Sequence, residues 1–136
     1  MSDRINDKIE EIQAYLDELK MCVPDSFDEY LESKLKKAAC ERYAEIIAEA
    51  VVDLAFLFIK LKNLKIPESD LEAFDILLEN NILSSSLSKN LQDAKRMRNV
   101  LAHEYGEVDD LIVYHAVREE LCKDVREFLH AIKRKL

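Results

Sequence analysis

The sequence predicts an all-α protein, on three observations. The 136 residues include one Gly, two Pro and no Trp, the composition is 49% hydrophobic and 35% charged, and apolar residues recur at intervals of three and four. Because Gly and Pro are the usual turn residues, their scarcity favours long helices joined by few loops. No Pro/Gly/Ser-rich linker interrupts the chain. We therefore expect residues 1–136 to form one domain, an antiparallel bundle of four to five helices.

The first two predicted helices account for the N-terminal half of the chain. Helix one spans about 2–21 and ends before Pro24. Its apolar residues share one face: Ile5, Ile9, Ile12, Leu16 and Leu19. Helix two opens where Ser26 and Glu29 have the spacing of a capping box, and its apolar pattern continues to about Leu64. Such length is unusual, so we expect a kink or break near residues 37–41.

Three further segments complete the predicted bundle. Pro67 ends helix two, and helix three follows over about 69–79. Helix four starts in "SSSLSKN" and ends at Gly106, since glycine accepts the left-handed conformation that closes many helices. Its expected inner face carries Leu87, Leu91, Ala94, Met97 and Leu101. Helix five runs from about Asp109 to the C-terminus, and its inward residues are expected to be Leu111, Val117, Leu121, Val125, Leu129 and Ile132.

Charge is distributed unevenly along the chain, whose net charge is −8. Residues 1–83 hold ten basic and nineteen acidic residues, whereas residues 84–136 hold ten basic and nine acidic residues. Four bases, Lys89, Lys95, Arg96 and Arg98, have only Asp93 among them. A local basic patch that docks a phosphate and an ordinary solvated helix face are both consistent with this pattern.

The cysteines and the apolar segments predict the compartment. Cys22, Cys40 and Cys122 are odd in number and form no C-x2-C pair, which argues against a disulfide framework and a zinc site. We expect them to be small buried residues. The N-terminus does not resemble a secretory signal, and the longest apolar window is too short to span a bilayer. The protein is expected to be soluble and cytoplasmic, with no membrane association.

The stretch "RMRNVLAHEYG" concentrates the residues with chemical potential. Asn99 and His103 are four apart and share one helix face, whereas Arg98 and Tyr105 are seven apart and share another. Arg98 and His103 diverge by about 140° on an ideal helix of 100° per residue. Two arrangements would bring them together: an irregular helix end, or a site built from two copies across a dimer axis, where the Arg of one chain meets the His of the other.

These residue types suit cleavage of an RNA phosphodiester. A histidine can take the proton from a 2′-hydroxyl or give one to the leaving oxygen, and a fixed guanidinium can stabilise the phosphorane charge, so neither a metal nor a cofactor is needed. A structural alternative stays open: His103 and Tyr105 could satisfy the carbonyls at the helix end while Arg98 is solvated.

"RNVLAHEY" resembles the R-x4-H-x-Y signature of HEPN domains of the HepT toxin type, with Arg98, His103 and Tyr105 at the signature positions. Looser similarity extends to "ERYAEIIAEAVVDLA" and "VYHAVREEL". The resemblance implies a bundle that forms a two-fold homodimer, with Arg98 and His103 of both chains lining a cleft for metal-independent RNA cleavage, the RNA being an mRNA or a tRNA. It also implies an MntA-type nucleotidyltransferase antitoxin, able to form a higher assembly with the dimer, that transfers AMP from ATP to Tyr105. The added charge and bulk would block substrate phosphate.

An acidic column on helix two could support this site. Glu41, Glu45, Glu49 and Asp53 follow one another at intervals of four, and like charges at that spacing repel unless they have partners such as the bases of helix four. Arg42 and Glu45 could orient Arg98, and Asn99 could position the substrate. Asp53 lies among apolar residues and is expected to be partly buried with a hydrogen-bond partner. A solvent-facing stripe is the alternative.

Two weaker patterns are also present near the C-terminus. Glu127 and His130 have the spacing found in carboxylate-bridged metal bundles, but those need further copies that this chain lacks, so no metal site is expected. Tyr114 and His115 are expected to serve packing and surface roles, although they could border the cleft.

The leading hypothesis is a ribonuclease toxin with His103 as general acid and base, Arg98 as phosphate clamp and Tyr105 as modification site. A non-catalytic helical protein that binds a nucleotidyltransferase, or presents Tyr105 to it, is the alternative, and the acidic composition favours it modestly.

Overall fold

The computed structural model describes residues 2–103 and 108–136. Within these two ranges the regular structure is helical, and the elements are α1 (Ser2–Cys22), α2 (Phe27–Glu32), α3 (Lys34–Leu61), α4 (Asp70–Glu79), α5 (Ser85–His103), α6 (Asp110–His115) and α7 (Leu121–Arg134). A π-helical turn, Ala116–Glu120, joins α6 to α7. The all-α prediction is confirmed.

Helix α3 is the centre of the bundle, because α1, α2, α4, α5 and α7 all contact it. Two of these neighbours, α1 and α5, run antiparallel to α3. Along α1, Lys8 meets Asp53 near the end of α3, whereas Glu18 bonds Tyr43 near its beginning. Helix α5 also crosses α3 in the antiparallel direction, and this brings the C-terminal half of α5 beside the middle of α3. This arrangement places "RMRNVLAH" over the acidic column.

The predicted second helix is two helices, and its break lies at Ser33 rather than near residues 37–41. The Ser33 backbone N–H donates to the Glu29 carbonyl and ends α2, while the Ser33 hydroxyl accepts from the Lys36 N–H at 3.2 Å and starts α3. One serine therefore closes one helix and opens the next. Helix α3 also ends before the predicted Leu64, because Asn63 adopts a left-handed φ of 54°.

Serines also cap the starts of α2 and α4, the first of them at the predicted position. The Ser26 hydroxyl accepts from the Glu29 N–H at 3.2 Å, and the Ser69 hydroxyl accepts from the Glu72 N–H at 3.1 Å. On α1 the whole predicted apolar face is buried: Ile5, Ile9, Ile12, Leu16 and Leu19. Packing of this face against α3 supplies a large part of the core.

The inner face of α5 is rotated from the predicted one. Leu87 and Leu91 are buried as expected, but Ala94, Met97 and Leu101 are only half-buried against the core. The positions that complete the buried face are polar, Ser88 and Lys95. Their burial requires partners, which the neighbouring helices provide. The predicted stop at Gly106 lies outside the described residues.

The predicted C-terminal helix is interrupted, and the expectation that Leu111 faces inward is wrong. Leu111 is exposed, whereas Val113 two residues later is buried. The cause is the π-helical turn Ala116–Glu120, which inserts one extra residue and so shifts the register before it by about 100°. From Val117, which lies within this turn, to the end of α7 the predicted inward residues are buried: Val117, Leu121, Val125, Leu129 and Ile132.

The cysteines lie in or against the core as free thiols. Cys40 and Cys122 are buried as predicted, and Cys22 is half-buried. Burial raises the pKa of Cys40 to about 11, and it also raises the pKa of Cys122. Among the helices of residues 2–103 and 108–136, none combines the length and the apolar character that crossing a membrane requires.

Candidate active site

A cleft of about 300 Å³ lies where α1, α3 and α5 meet. Its lining is mainly charged and consists of Lys8, Glu11, Arg42, Glu45, Ile46, Glu49, Ala50, Asp53 and Arg98. The antiparallel crossing of α3 and α5 creates this site, because it lays the acidic column beside the end of α5. Three of the predicted supporting residues, Arg42, Glu45 and Asp53, therefore share a cleft with Arg98.

Arg98 is held from two sides. Its Nε lies 2.9 Å from Glu49 Oε2, and its Nη1 donates to Asn99 Oδ1 at 3.3 Å. The side chain keeps 24% of its surface exposed, so the guanidinium is oriented without being enclosed. A guanidinium has five N–H donors in a planar fork, more than these two contacts use, and such a group can bind a phosphate.

Glu49 is the contact residue that the sequence reasoning did not assign to the site. It belonged to the predicted acidic column, whereas Arg42 and Glu45 were expected to orient Arg98. In the structure those two pair with each other, Nη1 to Oε2, at 3.2 Å. The expectation that the column meets the bases of α5 is confirmed at Glu49, whose Oε2 receives both Arg98 and, at 3.4 Å, Lys95 Nζ.

Lys95 is the second residue that the prediction missed. Its side chain is only 8% exposed, and its Nζ lies 3.4 Å from Glu49 Oε2 and 3.2 Å from Asp70 Oδ2. It thus joins α3, α4 and α5. A signal existed in the sequence: Lys95 follows Leu87 and Leu91 at intervals of four, so it occupies a core-facing position of α5. A lysine at such a position needs acidic partners.

Asp53 is more exposed than its apolar neighbours suggested. Its side chain keeps 56% of its surface accessible, so the burial is slighter than expected, and its ion-pair partner is Lys8 Nζ at 3.7 Å. Partial desolvation raises the pKa of Asp53, and Lys8 opposes this shift. Lys8 also binds Glu11 at 2.9 Å, and this hydrogen bond lowers the pKa of Glu11. Lys8, Glu11 and Asp53 therefore form an ion-pair cluster on the side of the cleft that α1 lines.

The four bases near the motif do not form an unpaired positive patch. Lys89 and Arg96 both pair with Asp93, at 2.9 and 3.0 Å, while Lys95 and Arg98 turn to Glu49. Each base contacts a carboxylate, and the four bases share three of them: Asp93, Glu49 and Asp70. A positive field at this site depends on the orientation of individual groups rather than on a surplus of charge.

His103 is the last residue of α5 and is exposed. Tyr105 lies outside the described residues. A second groove lies along the first half of α3, and its lining is Lys37, Ala38, Glu41, Arg42, Glu45, Leu101 and Val108. Arg42 and Glu45 line both this groove and the cleft of Arg98. Burial raises the pKa of Glu41 in the groove.

The residues of the two weaker sequence patterns near the C-terminus lie in packing or surface positions. Tyr114 is buried, and its hydroxyl donates to the Pro24 carbonyl at 2.9 Å. His115 is exposed at the end of α6. Both observations agree with the expected packing and surface roles. Glu127 and His130 are exposed on α7.

The fold and the cleft define an all-α helical domain with an oriented arginine on a helix that ends in a histidine. A family model described as ribonuclease HepT-like matches residues 5–132. The chain therefore belongs to the HepT-like ribonuclease family.

Three relatives show how similarity is distributed. The mRNA nuclease HepT of Shewanella oneidensis is 35% identical over 85 residues, which cover 62% of this chain and 63% of that protein, less than two thirds of its length. The tRNA nuclease HepT of Aphanizomenon flos-aquae is 34% identical over 114 residues, covering 83% and 77%. A solved structure of the tri-AMPylated Shewanella oneidensis HEPN toxin in complex with its MNT antitoxin is 27% identical, with a TM-score of 0.91 and coverage of 98% and 99%.

Proposed function

We propose that this chain is a ribonuclease toxin that cleaves RNA without a metal ion and is neutralised by transfer of AMP to Tyr105. The observation that carries the proposal is Arg98, oriented by Glu49 and Asn99 at an open cleft on the helix that ends in His103. Family membership over residues 5–132 supports it, as do two relatives named mRNA nuclease and tRNA nuclease.

The proposed reaction passes one proton from the 2′-oxygen to an imidazole and one from an imidazolium to the 5′-oxygen, and it replaces one P–O bond by another. The His103 imidazole accepts the proton of a ribose 2′-hydroxyl, and the 2′-oxygen attacks the neighbouring phosphorus. Arg98 stabilises the negative charge that develops on the phosphoryl oxygens. The bond from phosphorus to the 5′-oxygen breaks, and this oxygen receives a proton from an imidazolium. The products are a 2′,3′-cyclic phosphate and a 5′-hydroxyl.

The active unit in this proposal is a two-fold homodimer. On a regular α5 the side chains of Arg98 and His103 diverge by about 140°, so one chain aims them at different points. A symmetric partner presents the same pair in the opposite direction, and Arg98 of one copy can then meet His103 of the other. The RNA phosphate would lie between the two copies of α5.

Tyr105 is the proposed regulatory position. Its hydroxyl oxygen attacks the α-phosphorus of ATP, the bond to the β-phosphate bridge breaks, and pyrophosphate leaves, catalysed by an MntA-type nucleotidyltransferase. The solved relative that is tri-AMPylated and bound to an MNT antitoxin supports this assignment. The added nucleotide brings negative charge and bulk to a position two residues from His103, where it would repel an RNA phosphate.

One observation favours a second candidate, a helical partner of a nucleotidyltransferase that does not cut RNA. The cleft of Arg98 contains four carboxylates and three bases, so its formal charge is unfavourable for a polyanion. In this candidate Tyr105 is presented to the transferase without any catalytic role for His103.

A cleavage assay separates the two candidates. Protein shown by mass spectrometry to carry no AMP is incubated with total RNA and with a tRNA pool in excess chelator. The proposal expects wild-type cleavage to survive the chelator and to disappear in His103→Ala. The matched control is His130→Ala, an exposed histidine on α7, which should cleave like wild type.

Either result is informative. Cleavage that persists in His103→Ala would refute the catalytic assignment. Wild-type protein that leaves every RNA intact would favour the non-catalytic partner. Treatment with the transferase and ATP should add AMP to wild type but not to Tyr105→Phe, and it should abolish cleavage only in wild type.

A further inference from the structure

We propose that Lys95 and Glu49 are positioning residues for Arg98: the buried ammonium fixes Glu49, and Glu49 in turn sets the plane of the guanidinium. The inference rests on the proposed ribonuclease function for its kinetic part only. Neither residue belongs to the R-x4-H-x-Y signature, and neither was a predicted site residue.

The geometry forms a chain of contacts from the interior to the cleft. Asp70 Oδ2 on α4 binds Lys95 Nζ at 3.2 Å, Lys95 Nζ reaches Glu49 Oε2 at 3.4 Å, and the same oxygen receives Arg98 Nε at 2.9 Å. Lys95 and Arg98 lie one helical turn apart on α5, so both can address one carboxylate on α3. Two donors on one oxygen restrict the rotamer of Glu49 more than either donor alone.

The charges explain why a lysine is placed there. Glu49 alone beside Arg98 would form a simple ion pair, which would neutralise the charge that must meet the phosphate. Lys95 shares the negative charge of Glu49, and Asp70 balances Lys95 on the opposite side. Glu49 contacts Arg98 at Nε, whereas the terminal Nη1 donates to Asn99 Oδ1. The network thus orients Arg98 while leaving it cationic toward the cleft.

A purely structural role for Lys95 would have different consequences. In that case its contacts would only connect α3, α4 and α5, and its loss would lower the free energy of unfolding without acting through Arg98. Substitution of Lys95 by Met keeps the apolar stem of the side chain. It leaves Glu49 and Asp70 about half exposed, so water can solvate both carboxylates. The variant is therefore expected to fold.

The first test is single-turnover RNA cleavage by Glu49→Gln and Lys95→Met. Misplacing a catalytic group is expected to lower the cleavage rate about tenfold to a hundredfold. The matched control is Lys89→Met, which removes an exposed lysine of the same helix that pairs with Asp93 at 2.9 Å; its rate should stay within about twofold of wild type. Both substitutions are repeated in an Arg98→Lys background, because a lysine has no Nε–H for Glu49 to hold. In the Arg98→Lys background, Glu49→Gln and Lys95→Met should cause no further loss of cleavage rate.

The second readout needs no activity. In a ¹H–¹⁵N spectrum the Arg98 Nε–H of wild type should be protected from exchange, and the protection should fall in Glu49→Gln and Lys95→Met but not in Lys89→Met. Equal losses of rate in the Arg98 and Arg98→Lys backgrounds, or unchanged Nε–H protection, would overturn the positioning role. If wild-type protein cleaves no RNA, the proposed function fails, and the Nε–H protection still decides this inference.

Discussion

Two tyrosines in contact with each other should respond in opposite ways to the same substitution. Tyr30 and Tyr114 are both buried, and their ring centroids lie 5.2 Å apart. The Tyr114 hydroxyl donates to the Pro24 carbonyl at 2.9 Å. The Tyr30 hydroxyl is buried and has no hydrogen-bond partner within residues 2–103 and 108–136. Changing each residue to Phe removes one oxygen and keeps the ring.

The magnitudes follow from these two environments. Tyr114→Phe loses a hydrogen bond and leaves the Pro24 carbonyl unpaired, which should cost about 1–2 kcal/mol. Tyr30→Phe removes a hydroxyl that lost its water on folding without gaining a partner, so this variant should be stabilised by roughly 1 kcal/mol. Burial raises the pKa of Tyr30, so its hydroxyl is neutral at pH 7. For a domain of this size the two variants should differ in Tm by about 5 °C or more.

Urea denaturation and calorimetry at pH 7 measure both changes. Each variant controls for the other, because both changes remove one hydroxyl oxygen and keep a buried ring, and the two rings are in contact. Neither tyrosine lines the cleft of Arg98, so cleavage rates should not change. If Tyr30→Phe is as destabilised as Tyr114→Phe, the Tyr30 hydroxyl has a partner and the argument from its burial is wrong.

Two further predictions concern the site and its surroundings. Arg98→Ala should lower the rate of RNA cleavage by about a hundredfold or more, whereas loss of the exposed Arg96 on the same helix, in Arg96→Ala, should change this rate by less than about twofold. Calorimetry should show that each variant loses at most about 1 kcal/mol of stability. Equal losses of cleavage rate in the two variants would refute the role of Arg98 as phosphate clamp. Because burial raises the pKa of Glu41, its ionised form destabilises the fold. Glu41→Gln should therefore be more stable than wild type at pH 7 by roughly 0.5 kcal/mol. This gain should shrink as the pH falls through the pKa of folded Glu41 toward and below 4.5, because the carboxyl is then protonated in both the folded and the unfolded state. A gain that does not depend on pH would contradict ionisation of Glu41 as the cause.

The sequence predicted helix faces and caps correctly where these depend on residues that are neighbours along the chain. The inner face of α1 and the cap at Ser26 match their predictions, because a helix fixes which residues share a face and a cap acts within three residues. The register of the last helix was readable only after the π-helical turn. Before that turn the spacing misplaced Leu111, since one inserted residue rotates everything that precedes it.

The motif of the candidate site was predictable from the sequence, but the residues that contact Arg98 from other helices were not. The spacing of Arg98, His103 and Tyr105 is a property of one short stretch, so the sequence alone was enough to nominate it. Glu49 precedes Arg98 by almost fifty positions, and Asp70 lies on yet another helix. Their approach depends on how α3, α4 and α5 cross. Asp53, which lies among apolar residues in the sequence, meets Lys8 of α1, another contact between residues distant in the chain.

By itself, the sequence determined the helical class, the inner face of α1, the cap at Ser26 and the candidate residues for the chemistry, because these follow from periodicity, caps and side-chain type. The tertiary structure alone decided which charges meet: it paired Lys95 with Glu49 and Asp70, joined Glu49 to Arg98 and set Lys8 beside Asp53. The physical reason is distance. Electrostatic and hydrogen-bond contacts act over a few ångströms in space, and chain folding determines which distant residues come that close.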